Sequence, residues 1–232
     1  MLERLGRTIE SVAGYPVSLL QELLRIFPDG LVMGLGFFAL ITLSVPYGTF
    51  FASLVLSTVF FHALRAVDSY LNITAAFGTK SSLTEKCVSG FMSKNAESLS
   101  LFGSGAGSSF PSAPIYTVSV AAAYIVASLY KFSKEMDVLG KEFSERFYIS
   151  IISLPMLVTA ISLYRLFFNC DDFSVILLSI VSGLVIGGLL VEMNHNLLGM
   201  ASINLIGIPI LSERTADGKK LYVCSETPEF KT

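Results

Sequence analysis

The sequence predicts an all-α integral membrane protein of about five transmembrane helices, preceded by an N-terminal amphipathic helix. Three observations carry this reading. Hydrophobic residues make up 53% of the 232-residue chain and charged residues only 15%, whereas a soluble domain carries roughly 25% charged residues. The mean hydropathy is +0.67. The apolar residues also fall in blocks separated by polar stretches, several of them long enough to cross a hydrocarbon core of about 30 Å. Trp is absent, so an interfacial aromatic belt has to come from tyrosines such as Tyr47, Tyr116, Tyr124, Tyr130, Tyr148 and Tyr164.

Residues 1–27 do not read as a signal peptide, because Glu3, Arg4, Arg7 and Glu10 precede no apolar core or small-residue cleavage site. Leu2, Leu5, Ile9 and Val12, then Leu19, Leu20, Leu23 and Leu24, recur at helical spacing. Such a stripe suits an amphipathic helix lying on a membrane surface. A helix packed against another protein would show the same stripe.

Residues 28–65 form the first apolar block. The stretch 31–64 holds no charge, and as one helix it would be about 50 Å long. Pro46-Tyr47-Gly48 lies near its middle and favours a break. The expectation is a hairpin of two spans, about 28–44 and 47–64, over a single long kinked helix. Residues 66–112 form the longest polar segment. They include Gly78-Thr79-Lys80 and a Gly/Ser run, 103–109, that reads either as a flexible loop or as a backbone nest for an anion.

A three-span core follows over 113–191. Its spans are predicted at 113–130, at 147–168 with Pro155 inside, and at 173–191. Neighbouring helices can satisfy the carbonyl that Pro155 frees. Ser182-Gly183 and Gly187-Gly188 in the last span allow close helix contact. Residues 192–232 are expected to be an interfacial segment and polar tail. Within them, 197–211 is apolar but short, and contains Gly199, Asn204, Gly207 and Pro209, which suits an interfacial or re-entrant segment better than a sixth span.

Orientation stays open at this level. With five spans Lys and Arg divide almost evenly between the two faces; with four, the face of residues 66–112 would be the less basic and so non-cytoplasmic. Asn72-Ile73-Thr74 is a glycosylation sequon, but it lies close to a span end, which argues against its use. Three cysteines are too few for a disulfide framework. Cys87 and Cys170 fall in loops on one face, where a bridge can form, but free buried thiols are the preferred reading. Cys224 falls on the opposite face.

The chain holds two histidines. Glu192 and His195 share a helix face, but two ligands make a poor metal site, and no metal or cofactor is expected. The sequence lacks a dinucleotide fingerprint, a phosphate-loop lysine, a catalytic serine motif and a basic nucleic-acid patch. Arg165 near a membrane boundary is costly unless solvated or paired, and Asp171-Asp172 supplies the partner for a structural ion pair.

Two resemblances emerge from these segments. Ser109-Phe110-Pro111-Ser112-Ala113-Pro114 followed by a helix resembles the Pro-Ser-Gly-His motif of the type 2 phosphatidic acid phosphatase superfamily. Tyr164-Arg165 through Ser174, then the small-residue helix with Ser182-Gly183 and Gly187-Gly188, is similar to that family's third motif. The resemblance covers about residues 80–191 and implies a helical core with both motifs on one face. The catalytic residues do not carry over. Pro114 stands where the family's general-acid histidine would be, Asp171 where its nucleophilic histidine would be, and Val175 where the orienting aspartate would be. Only Arg165 matches a phosphate-binding position, and the family's upstream Lys…Arg-Pro motif has no counterpart. Neither Pro nor Val can move a proton, so the shared fold would carry a dead site. Arg165, Asp171 and Lys86, or in place of Lys86 one of Lys80 and Lys94, would be the relic of its anion site.

The second resemblance lies mainly near the C-terminus. Residues 204–211, then 217–224, resemble the ending of multi-pass membrane proteins of nucleocytoplasmic large DNA viruses. Residues 87–91, 109–114 and Tyr164-Arg165-Leu166 are similar to those proteins too. This implies a structural, non-enzymatic protein of a virion's internal membrane, or of the host membrane from which it derives. Its partners would be membrane lipids and other membrane or capsid proteins, and no nucleic acid. A divergent lipid-phosphate phosphatase and a small subunit of a cellular membrane complex are the alternatives.

Overall fold

The computed structural model describes residues 2–72, 87, 110–133, 136 and 141–207. Its long helices are α1 (Leu2–Thr42), α2 (Val45–Leu71), α3 (Ala113–Lys131), α4 (Lys141–Phe167) and α5 (Phe173–Leu198), and a 3-10 turn, Met200–Ile203, follows α5. Among the described residues, five segments are long and apolar enough to cross a membrane: Glu22–Thr42, Val45–Leu71, Ala113–Lys131, Phe147–Phe167 and Phe173–Leu198. The chain is an all-α integral membrane protein. Closing most backbone hydrogen bonds within their own helix is what lets these segments live in hydrocarbon.

The first apolar block is two helices, and the break falls upstream of Pro46. Leu43 takes a left-handed φ of 49°, and Ser44 is extended as the N-cap of α2. Pro46 then sits in the first turn, where its missing N–H is one of the helix's unpaired donors in any case. Gly48 N–H donates to Ser44 O at 2.9 Å, so Gly48 belongs to the helix rather than to the turn. Phe38 meets the Tyr47 ring edge-on at 4.7 Å across the hairpin.

Several boundaries differ from the sequence expectation. No break separates 1–27 from the first span: α1 is one helix of 41 residues, about 60 Å long. Pro28, buried within it, has no N–H to donate, so the Leu24 carbonyl loses its intrahelical donor while the helix continues on both sides. The side chains that would form the amphipathic stripe over 2–18 lie outside the described residues. At the other end of the hairpin, α2 runs past Leu64 to Leu71. It stops at Asn72, whose left-handed φ of 51° caps it. The polar connection therefore starts about two turns later than 66.

Helix α3 occupies the centre. Of its spanning window 72% is buried, against 11% for that of α4. Its small residues explain the placement, because Ser119, Ala121 and Ala122 leave room for neighbours to approach. The closest neighbour is α5. A Cβ on Gly183 would lie 2.6 Å from Ser119 Cβ and 2.9 Å from Tyr116 O. One on Gly187 would lie 2.5 Å from Val120 O and 2.7 Å from Ala123 Cβ. Four residues apart, these two glycines form one flat strip against α3. Gly188 faces open space and takes no part.

Polar groups tie the bundle together from inside. Asn194 on α5 donates to Ser53 Oγ on α2 at 2.7 Å and to Tyr124 Oη on α3 at 2.8 Å. Tyr116 Oη donates to Ser57 O at 3.0 Å. Tyr116 and Tyr124 are thus fully buried and do not belong to an interfacial belt. The hydroxyls of Tyr116, Tyr124 and Ser53 find partners between helices. Tyr130 and Tyr148, 71% and 61% exposed, remain available for such a belt. The outer faces of α4 and α5 present Ile149, Ile152, Met156, Leu163, Leu184 and Leu189, a surface suited to acyl chains.

Helix α5 continues past 191 to Leu198. The chain then doubles back over the start of α2, with Tyr47 Oη donating to Leu205 O at 2.9 Å and Thr49 Oγ1 to Ser202 O at 2.5 Å. Ser202 and Ile203 are buried there. Residues 200–207 form this folded-back segment; 208–211 lie outside the described residues.

Candidate functional site

A polar cluster forms where the start of α3, the end of α4 and the start of α5 meet. Each member is placed by a helix end. Ser112 is the extended N-cap residue of α3, and Pro114 fixes the first turn behind it. Arg165 lies in the last turn of α4. Asn169 takes a left-handed φ of 51°, and Cys170 N–H donates back to Arg165 O at 2.9 Å. That tight exit turns the chain so that Asp171 points back at the helix it has just left. Asp172 is the N-cap residue of α5.

The resulting geometry is closed. Arg165 Nε donates to Asp171 Oδ2 in a short ion pair. Ser112 Oγ donates to the same oxygen at 2.7 Å, while Ser112 N–H donates to Ser179 Oγ on α5 at 2.8 Å. Asp171 is 6% exposed and Ser112 4%. Arg165 Nη1 donates to Cys87 O at 3.3 Å. The Cys87–Cys170 disulfide, with 5.2 Å between the Cα atoms, fixes that carbonyl beside the guanidinium. A buried charge is tolerated when it is paired and hydrogen-bonded, and Arg165 and Asp171 meet this from within the protein; the neighbouring Asp172 keeps a buried carboxylate oxygen with no hydrogen-bond partner.

Of the sequence-derived candidates, Arg165 and Asp171 are brought together, and Cys87 and Cys170 are joined. Lys86, Lys80, Lys94 and Cys224 lie outside the described residues. Ser112 and Ser179 were not singled out as site residues, although Ser179, Gly183 and Gly187 recur every four residues, a spacing that puts them on one helix face. Val175 is buried at 1% exposure and Pro114 is buried in the first turn of α3. Both positions are packing positions.

At the opposite end, Glu192 pairs with Lys131 Nζ at 2.7 Å. Among the described residues, no group of three His, Cys, Asp or Glu side chains could hold a metal.

No protein-family model matches the chain, and no curated protein or solved structure is significantly similar to it. Fold and site together define its class: an all-α integral membrane protein, with five candidate spans among the described residues, in which Arg165 and Asp171 are paired inside the bundle.

Proposed function

We propose that this chain is a non-enzymatic, multi-pass structural protein of a viral internal membrane, built on a phosphatase-like helical core that has lost its chemistry. One observation carries the non-enzymatic part. The only residue matching a phosphate-binding position of the resembled family, Arg165, is spent on Asp171. Asp171 occupies the nucleophile's position in that resemblance, and it accepts from both Arg165 and Ser112. An anion would have to displace a buried carboxylate from the guanidinium, at the cost of leaving that carboxylate unpaired.

The remainder rests on the resemblance of residues 204–211 and 217–224 to membrane proteins of nucleocytoplasmic large DNA viruses. In this role the spans anchor the chain in lipid, and the polar segments on either side engage membrane or capsid proteins.

The test is hydrolysis. Purified protein in lipid nanodiscs containing phosphatidic acid is expected to release no inorganic phosphate above protein-free discs. Release that disappears in Asp171→Asn would overturn the reading in favour of a divergent lipid-phosphate phosphatase. Affinity purification under mild detergent is expected to recover virion membrane or capsid proteins. Recovery of a cellular membrane complex instead would overturn the viral part alone.

A further inference from the structure

The five spans sort every described loop residue to one of two faces. Cys87, Asn72, Ser112, Arg165, Cys170 and Asp171 lie at one end of the bundle. The α1–α2 turn at Leu43–Ser44, the Lys131–Glu192 pair and the folded-back segment 200–207 lie at the other. Lys and Arg divide almost evenly between these faces, so charge does not choose which one meets the cytosol.

The disulfide does choose. We infer that the Cys87–Cys170 face lies in an oxidising compartment and the Lys131 face in a reducing one, which fixes the orientation of the whole chain. Closing the bridge takes two electrons and two protons from the paired thiols. They pass to a protein or small-molecule disulfide, which is itself reduced to the dithiol. Such bridges persist outside the reducing cytosol and are rare within it.

The position of the bridge strengthens the argument. Cys170 is 3% exposed, and Cys87 O accepts from Arg165. The bridge is thus built into the buried ion-pair cluster and does not sit as a chance pair on a loose surface. With the Cys87 face oxidising, α1 enters the membrane from that side at Glu22, and α5 delivers residues 200–207 to the reducing side. The inference makes no use of the resemblances; it depends on the bridge, on the number of spans and on a membrane that separates a reducing from an oxidising compartment.

Reporter thiols test it. Glu145→Cys and Ala201→Cys, both at exposed positions on the Lys131 face, are each introduced into a Cys224→Ser background. Microsomes sealed with the cytosolic side outward are treated with a membrane-impermeant maleimide. Both reporters are expected to label fully without detergent. Cys87 and Cys170 are expected to label only when detergent and reductant are both supplied. Reporters that label only after permeabilisation would overturn the inference. So would labelling of Cys87 and Cys170 in sealed vesicles, with or without reductant. Two reporters in separate elements keep the result readable if one variant fails to fold.

Discussion

Arg165 and Asp171, six residues apart across the exit of α4, form an ion pair whose side chains are only 11% and 4% exposed. The pair holds because the exit turn is tight and because Ser112, from a distant part of the chain, adds a second donor to the same carboxylate oxygen. Removing one partner leaves the other charged, buried and unmatched. Arg165→Met is expected to lower stability by about 3–5 kcal/mol. The Arg165→Met/Asp171→Leu double variant is expected to recover most of that loss. Thermal unfolding of the detergent-solubilised variants, analysed as a double-mutant cycle, reads the coupling.

The two glycines of α5 make a sharper structural test than their neighbour. Gly187→Ala places a methyl group 2.5 Å from Val120 O, against backbone that cannot swing aside. Overpacking of this kind costs about 1–3 kcal/mol. Gly188→Ala, facing open space, is expected to be neutral or slightly stabilising, because alanine favours helix over glycine. Comparing the two melting temperatures separates packing from helix propensity.

Asn194 joins α2, α3 and α5 through a single amide. Asn194→Leu is expected to cost about 1 kcal/mol, since interhelical hydrogen bonds in membrane proteins average about 0.6 kcal/mol each. The loss is small enough that the protein still folds. The readout is faster hydrogen exchange along the first turns of α2 and the last turns of α5.

Cys87→Ser and Cys170→Ser each delete the same bridge. The two variants are therefore expected to lose the same stability, about 2–4 kcal/mol, and the double variant no more. Unequal losses in matched thermal melts would mean that one cysteine acts in some way beyond the bridge.

The sequence by itself determined the solvent of this protein. Uncharged stretches such as 31–64 are satisfied by lipid, and their lengths pointed to about five spans while leaving a four-span reading of 31–64 open. It also exposed the proline and glycine positions near the breaks, although Pro46 proved to start a helix where the text of the sequence suggested a turn. Prolines in the first turn and prolines in a loop look alike until backbone hydrogen bonds are assigned. Only the tertiary structure decided that α3 is central, that Gly183 and Gly187 rather than Gly188 meet it, and that Tyr116 and Tyr124 face inward. The pairing of Arg165 with Asp171 and Ser112 belongs to the same group. In a bilayer every helix is apolar on all sides, so hydrophobic periodicity no longer marks the buried face. Which small or polar residue looks inward is then settled by the fit between helices, and that fit involves residues far apart along the chain.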